Sequence, residues 1–272
     1  MKYILLSVLA VMVMFGISFL VTDVISKRLK KKPPRFLQIS ISVLGCLLLS
    51  FVTGFVYLSV HYSVQEEALE VFSDSTGAVI TKIDGGYFVD GSGETVALIF
   101  YPGAKVDTEA YLPLMKQIAD NGVDCFLADM PMRMAIFDKN AAADFITSYH
   151  YDCWLIGGHS MGGMVAAGYA AEHPDTIDGV VLLAAYPTEK LSDSTGLLSV
   201  YGTEDKILDR RQYDNAKKYF PSHSTEIPIA GGNHSQFGNY GFQSGDGEAS
   251  ITAHEQQTQT TFAILSFSKE IG

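Results

Sequence analysis

Residues 153–163 have the sequence Cys-Trp-Leu-Ile-Gly-Gly-His-Ser-Met-Gly-Gly, which contains the most informative pattern in the chain. An apolar run is followed by the pattern Gly-x-Ser-x-Gly and then by a segment rich in small residues. A serine held on a sharp turn from strand to helix requires small residues two positions before and two positions after it, which Gly158 and Gly162 supply. The stretch therefore predicts a strand, a strained turn that presents Ser160 as a nucleophile, and a helix.

Strand and helix patterns alternate along the rest of the chain beyond residue 78. Two short runs around a glycine turn and six longer apolar runs predict strands at 78–83, 87–89, 96–101, 123–130, 153–157, 179–185, 197–201 and 225–230. Apolar residues at helical spacing predict helices over 108–120, 138–149, 161–173, 209–219 and 254–270. The alternation indicates the α/β class with a doubly wound, mostly parallel sheet, whose chemistry lies at the carboxyl ends of the strands.

Two further strand ends carry polar residues that complement Ser160. The strand at 197–201 is followed by Gly-Thr-Glu-Asp205, and the strand at 225–230 by Gly-Gly-Asn-His234. A serine becomes nucleophilic when an imidazole accepts its proton and a carboxylate holds that imidazole in one tautomer. The order Ser160, Asp205, His234 therefore predicts a catalytic triad. Glu204 is a rival for the acid, although Asp205 suits a short turn better, and His159 is expected to point away from the site.

Acyl chemistry at Ser160 also requires two backbone N–H groups directed at the developing oxyanion. The residue after the nucleophile, Met161, supplies one of them. The loop Tyr101-Pro-Gly-Ala-Lys105 follows the strand at 96–101, and Ala104 in this loop is the predicted second donor.

The substrate pocket is expected to be open, because the segment from Tyr186 to Gly196 is too short to contain a helical lid. One wall is assigned to Met130, Met132, Arg133, Met134 and Phe137, and another to Phe237, Tyr240, Phe242 and Gln243. Arg133 and Phe237 are the main candidates for substrate binding. Arg133 could bind a substrate carboxylate, and the alternative is a surface ion pair in an acidic domain.

Three segments resemble a known family: Phe-Tyr-Pro-Gly-Ala-Lys-Val at 100–106, Gly-Gly-His-Ser-Met-Gly-Gly at 157–163 and Gly-Gly-Asn-His-Ser-Gln-Phe-Gly at 231–238. From about Val96 onward the chain resembles the α/β-hydrolase superfamily, and within it a compact bacterial group related to dienelactone hydrolase. The resemblance implies Ser160, Asp205 and His234 as the triad and no cofactor. Dienelactone hydrolases have a cysteine nucleophile, so their substrate is not implied for a chain with Ser160.

The first 62 residues have the composition of a membrane anchor. An uncharged run from Tyr3 to Thr22 and a second run from Phe36 to Tyr62 are each long enough to cross a bilayer of about 30 Å as a helix. We expect spanning helices at about 3–22 and 38–60, with a basic loop at 27–35 between them. The alternative for the first run is a cleavable signal peptide. Residues 63–272 then form the hydrolase domain.

Charge separates these two parts of the chain. Residues 1–62 have seven cations and one acidic group, a net charge of +6, and the other 210 residues have 12 cations and 29 acidic groups, a net charge of −17. An acidic domain repels nucleic acid, so nucleic acid is not an expected partner. Short loops rich in Lys and Arg stay in the cytoplasm, which predicts an integral protein of the cell membrane whose domain faces the exterior. The three cysteines and seven histidines form no metal-binding pattern.

The sequence therefore predicts a membrane-tethered serine hydrolase that acts on a small-molecule ester with a short acyl group. A thioesterase, a peptidase or an acyltransferase would use the same triad. A non-catalytic binding protein on a hydrolase fold is a further alternative, which the complete triad disfavours.

Overall fold

The computed structural model describes residues 2–28, 34–93 and 95–272. The chain divides into two compact units, Met1–Val60 and His61–Gly272. The first unit contains the helices α1 (Lys2–Arg28) and α2 (Arg35–Ser59). Within it the two helices come close enough that a side chain added at Gly45 of α2 would collide with Ser18 of α1.

Helix α2 has the length and composition of a membrane span. Its mean hydropathy reaches 2.3, and most of its large apolar side chains, such as Leu44 and Phe51, are exposed. Among the residues described, α2 is the one helix that meets this criterion, so the expected pair of spanning helices is not confirmed. Much of the predicted basic loop, residues 29–33, lies outside the described part of the chain.

The described residues of the second unit form eight strands and six α-helices. The strands are β1 (Val79–Ile83), β2 (Gly86–Asp90), β3 (Val96–Tyr101), β4 (Asp124–Ala128), β5 (Cys153–His159), β6 (Gly179–Leu183), β7 (Gly196–Gly202) and β8 (Ser224–Ile229). The helices are α3 (Glu66–Leu69), α4 (Leu112–Ala119), α5 (Ala141–Ser148), α6 (Met161–Glu172), α7 (Arg210–Ala216) and α8 (Ala253–Ile271), with short 3-10 turns between some of them. Helix α3 was not expected, and α5 and α7 are shorter than predicted.

All eight strands form one sheet in the order β1-β2-β4-β3-β5-β6-β7-β8. Strands β1 and β2 are antiparallel to their neighbours. The other six strands, β3 to β8, are parallel to one another. The doubly wound, mostly parallel sheet expected from the alternating pattern is confirmed. The carboxyl ends of β3, β5, β7 and β8 lie at one edge of this sheet because the strands are parallel.

Both faces of the sheet are covered, which explains the continuous apolar runs. In β3, Leu98 and Phe100 belong to a core layer that includes Met115 of α4 and Ile264 of α8. The intervening Ile99 belongs to the opposite layer, which includes residues of α5, α6 and α7. A strand buried on both sides has no polar face, so its sequence does not alternate.

Candidate active site

Ser160 lies between the last residue of β5 and the first residue of α6, in the turn that the sequence predicts. Its backbone angles, φ 53° and ψ −123°, are in a region that L-residues rarely adopt and that costs about 1–3 kcal/mol. The Ser160 N–H donates to the carbonyl of Leu183 at 2.9 Å, which ties the turn to β6. A Cβ atom at Gly162 would overlap the carbonyl oxygens of Tyr101 and Pro102, so this position accepts glycine alone without a shift of the backbone.

Asp205 and His234 meet in a buried carboxylate–imidazole hydrogen bond at the ends of β7 and β8. His234 Nδ1 is 2.8 Å from Asp205 Oδ2, and both side chains are almost completely shielded from solvent. The other carboxylate oxygen, Oδ1, accepts the N–H groups of Ile207 and Leu208, each at 2.8 Å. The carboxylate is therefore fixed in a position that favours a proton on Nδ1 of His234 and leaves the Nε2 lone pair free.

Nε2 of His234 is the atom that this arrangement makes available for chemistry. It is buried and has no hydrogen-bond partner among the described residues. A buried nitrogen without a hydrogen-bond partner costs free energy. At this position it can accept a proton from a reacting group. Glu204, the rival acid, instead accepts a hydrogen bond from Thr203 Oγ1 at 3.2 Å and does not contact His234.

The loop that carries His234 is held by α8 and by a second buried acid. Gln256 of α8 accepts the Asn233 N–H at 2.9 Å and donates to the Asn233 carbonyl at 2.8 Å. Asp246 accepts from both the backbone N–H and the hydroxyl of Ser235, at 2.9 and 3.0 Å. The backbone on both sides of the imidazole is thereby fixed, and sequence reasoning had not identified Gln256 or Asp246.

The structure corrects the expected orientation of His159. Its ring lies 4.5 Å from the ring of His234, and its Nδ1 is 2.8 Å from the hydroxyl oxygen of Tyr111. The same hydroxyl oxygen accepts the N–H of Gly103 at 3.1 Å, so a chain of hydrogen bonds joins the loop after β3 to the second imidazole. Burial, with the neighbouring His234 as a smaller cause, lowers the pKa of His159 well below its usual value, so His159 is neutral.

The period of the strand already contained the signal for this orientation. Side chains of β5 alternate between the two faces, and Cys153 and Leu155 belong to the core layer that contains Tyr111 and Phe237. His159 has the same parity as Cys153 and Leu155, and its ring lies 5.7 Å from that of Phe237. The two-residue alternation of side chains along β5 therefore predicts that His159 lies on this face.

Met161 and Ala104, the two predicted oxyanion-hole donors, lie on either side of the close contact between α6 and the loop after β3. Met161 is the first residue of α6, where an N–H has no acceptor within the helix. Ala104 lies in the loop after β3. This loop packs closely against the first turn of α6, because a Cβ atom added at Gly162 would overlap the carbonyl oxygens of Tyr101 and Pro102. The N–H of Gly103 is already bonded to Tyr111, which leaves Ala104 as the donor that the loop offers.

Both predicted substrate-binding side chains, Arg133 and Phe237, have partners within the protein. Arg133 is ion-paired through Nε with Asp107, as in the surface-pair alternative, and its side chain is partly exposed. Phe237 is fully buried, so it supports the imidazole of His159 instead of forming a wall of an open pocket. Met130, Met134 and Tyr240 are also buried, whereas Met132, Phe137 and Phe242 are exposed.

A cavity of about 490 Å³ opens beside Ser160 on the side of α6. Its lining is mostly apolar and includes Met161, Met164, Val165, Tyr169 and Ile136. The loop between β6 and β7, which the structure describes in full, contains no helix, as its length predicts. Within the described residues, no group of three His, Cys, Asp or Glu side chains is arranged to hold a metal ion.

Comparison with known proteins identifies the class. Residues 97–258 match the family model described as "Alpha/beta hydrolase family", which is more than half of the chain. The chain belongs to this family of hydrolases. No curated protein sequence matches the chain significantly.

Solved structures give the same fold. A serine hydrolase involved in carbazole degradation, the CarC enzyme, has a TM-score of 0.51 and 14% identity, over 71% of this chain and 99% of its own. Dienelactone hydrolase from Anabaena variabilis has a TM-score of 0.51 and 15% identity, over 70% of this chain and 99% of its own. Alpha/beta hydrolase domain-containing protein 10 from mouse has a TM-score of 0.52 and 9% identity, over 72% and 100%. At these identities the likeness is one of fold.

Proposed function

We propose that this protein is a membrane-tethered serine hydrolase that cleaves carboxylic esters of small or short-chain acids. The observation that carries the proposal is the buried Asp205–His234 pair, whose free Nε2 atom lies at the sheet edge where the strained turn presents Ser160. A carboxylate, an imidazole and a serine on a strained turn, at the ends of three parallel strands, are the components of nucleophilic acyl transfer.

The reaction follows from the positions of these groups. The Ser160 hydroxyl attacks the ester carbonyl while His234 Nε2 accepts its proton, and the imidazolium is stabilised by Asp205, which stays ionised. The N–H groups of Ala104 and Met161 bind the oxyanion of the tetrahedral intermediate. Proton return from His234 releases the alcohol and leaves an acyl-enzyme. Water, deprotonated by His234, then attacks the acyl-enzyme and releases the acid.

Other acyl-transfer activities use the same components. A thioesterase, a peptidase and an acyltransferase differ from an esterase in the leaving group or the acceptor, and the triad does not distinguish between them. The mostly apolar lining of the cavity beside Ser160 favours a neutral acyl group over a peptide, which brings polar amide groups that need partners. A non-catalytic binding protein would not need a buried carboxylate that orients an imidazole at the sheet edge where Ser160 lies.

The membrane tether and its orientation are supported by the first unit. Helix α2 is apolar, and cations flank its predicted start. Because Lys and Arg in short loops are retained in the cytoplasm, a span that follows them carries the next domain outward. The net charge of −17 on the remaining residues gives the domain no attraction to an anionic inner leaflet.

Covalent labelling tests the proposed nucleophile. A fluorophosphonate probe should label the full-length protein, and Ser160→Ala should abolish the labelling because the attacking oxygen is removed. His234→Ala should lower ester turnover by about 10⁴–10⁶ because the proton acceptor is lost. Ser148→Ala, the same change at an exposed serine that ends α5, is the control and should keep both labelling and turnover. Undiminished labelling of Ser160→Ala, or no labelling of the folded wild type, would refute the proposal.

A further inference from the structure

One face of α6 forms the floor of a groove that begins at Ser160. Met161, Met164, Val165 and Gly168 occupy positions i, i+3, i+4 and i+7 of the helix, each is partly exposed, and all of them line the cavity beside Ser160. Residues at this spacing form one stripe along a helix. The stripe is apolar over its whole length, and its first member directly follows the proposed nucleophile.

Gly168 keeps the groove open in its middle. Its position on the stripe has no side chain, and an added Cβ would have one neighbour within 4 Å, Glu189 Oε1 at 3.3 Å. Glycine in the interior of a helix costs about 0.5–1 kcal/mol relative to alanine, so a reason other than helix stability favours it here. An unobstructed groove floor is such a reason.

The far end of the groove is acidic. Glu189 lies beside Gly168, and Glu172, the last residue of α6, also lines the cavity. The carboxyl end of a helix carries a partial negative charge, which adds to that of the two carboxylates. Lys139 is the one cation among the lining residues, so the charged groups of the lining sum to −1.

We propose that this groove binds the acyl chain of the substrate as an uncharged, unbranched chain of about eight carbons that runs from Ser160 to Gly168. The inference rests on the proposed ester hydrolysis at Ser160 and extends it beyond short acyl groups. The chain is the occupant because Ser160 and the apolar stripe of α6 line one cavity, and most of the exposed surface of that cavity is apolar. The acidic end stops the chain and rejects a terminal carboxylate.

The expected chain length follows from helix geometry. Seven residues separate Met161 from Gly168, which at a rise of 1.5 Å per residue is about 10 Å. An extended hydrocarbon chain advances roughly 1.3 Å per C–C bond of about 1.5 Å, so about eight carbons cover this distance. The cavity volume of about 490 Å³ is within the range of pockets that hold small ligands.

A chain-length series on the full-length protein in mild detergent tests the groove. We expect kcat/KM for p-nitrophenyl esters to rise from acetate to octanoate, by roughly threefold to fourfold for each methylene buried, and to fall from decanoate onward. Gly168→Leu fills the middle of the groove and should lower the octanoate-to-butyrate ratio of kcat/KM at least tenfold. Gln259→Leu, the same new side chain on an exposed position of α8, should leave the ratio at the wild-type value.

The acidic end is tested with a charged chain. The p-nitrophenyl half-ester of octanedioic acid should be cleaved at least tenfold more slowly than the octanoate ester by the wild type. In the double variant Glu172→Gln/Glu189→Gln, the ratio of the cleavage rates of the octanoate ester and the half-ester should fall at least threefold. In Glu248→Gln, a change outside the groove, this ratio should stay at the wild-type value.

The outcomes separate this inference from the proposed function. Turnover of esters with an optimum at acetate or butyrate, or an octanoate-to-butyrate ratio in Gly168→Leu within twofold of the wild type, would overturn the groove and leave the triad intact. Absence of both turnover and fluorophosphonate labelling would overturn the triad and the groove together.

Discussion

Asp205 and Glu204 are adjacent residues with the same charge, and their side chains have different environments. Asp205 is buried, accepts two backbone N–H groups and contacts His234 Nδ1 at 2.8 Å. Glu204 is partly exposed and bonds to Thr203. The hydrogen bonds, and not the charge alone, distinguish a carboxylate that can orient an imidazole from one that cannot.

Replacing each acid by its amide tests this distinction. Asp205→Asn should preserve the fold but present an amide N–H to Nδ1, which favours the wrong tautomer and lowers kcat by up to about 10⁴. Glu204→Gln should change kcat by less than threefold. The measurement is steady-state turnover of p-nitrophenyl butyrate by both variants. A large loss in Glu204→Gln with none in Asp205→Asn would contradict the assignment.

His159 makes the stability of the domain sensitive to acid. Its neighbours are Tyr111, Phe237 and Tyr240, none of them charged, and His234, which is paired with Asp205. Its pKa is lowered in the folded state, so below about pH 6.5 the unfolded chain binds a proton that the folded chain does not. The stability that depends on a neutral His159 is therefore fully present above about pH 6.5. Below that pH the free energy of unfolding falls by up to about 1.4 kcal/mol per pH unit.

Removing this imidazole should reduce the acid sensitivity. Between pH 6.5 and 5, His159→Gln should lose less free energy of unfolding than the wild type, by up to about 2 kcal/mol. Urea unfolding can be followed by the fluorescence of the single tryptophan, Trp154, which is buried on β5. His254→Gln, a change at an exposed histidine of α8, is the control. Equal pH slopes for the wild type and His159→Gln would show that His159 is not the cause.

At the scale of elements, the contact between β3 and α6 decides the geometry of the site. The carbonyl oxygens of Tyr101 and Pro102 pack directly against Gly162, which brings the loop with Ala104 to the N-terminal turn of α6. Gly168 lies on the same helix but faces the open groove. The two glycines therefore serve different purposes.

Alanine substitution at each glycine tests this difference. Gly162→Ala should lower the free energy of unfolding by more than about 2 kcal/mol, because the new Cβ overlaps backbone atoms that cannot move independently. Gly168→Ala should raise it by about 0.5–1 kcal/mol through helix propensity, since its nearest neighbour is the end of the flexible Glu189 side chain. Urea unfolding of both variants gives the comparison. Similar effects at the two positions would mean that the backbone contact at Gly162 is not essential.

At the scale of the molecule, the separation of charge and hydropathy predicts the topology. The cations of residues 1–62 cluster next to the apolar helix α2, and the rest of the chain is strongly acidic. If the cations stay in the cytoplasm, the hydrolase domain faces the exterior whether or not the first apolar run also spans.

Protease added to intact cells or right-side-out spheroplasts tests this topology. The hydrolase domain should be cut without lysis, and a cytoplasmic marker protein should survive. A domain that survives in intact cells and is cut after lysis would be cytoplasmic, contrary to the prediction.

The sequence alone predicts the order of the strands and of helices α4 to α8, the parallel sheet and the turn at Ser160. These features depend on local patterns: apolar runs, helical spacing and glycines at two fixed offsets from the serine. The sequence also predicts Asp205 and His234 as site residues, because each follows a predicted strand and the carboxyl ends of parallel strands meet at one edge.

Tertiary structure decided which side chains meet, because contacts between distant segments leave no local pattern. Arg133 pairs with Asp107, 26 residues away in the chain, and Phe237 is covered by segments that the sequence does not bring together. The neighbours of His159 likewise come from the segment 103–111 and from the loop after β8. The groove along α6 exists because Ile136 and Glu189, on separate loops, face the helix. Packing of the two layers on the sheet fixed these positions, and the periodicity of a single segment does not contain that information.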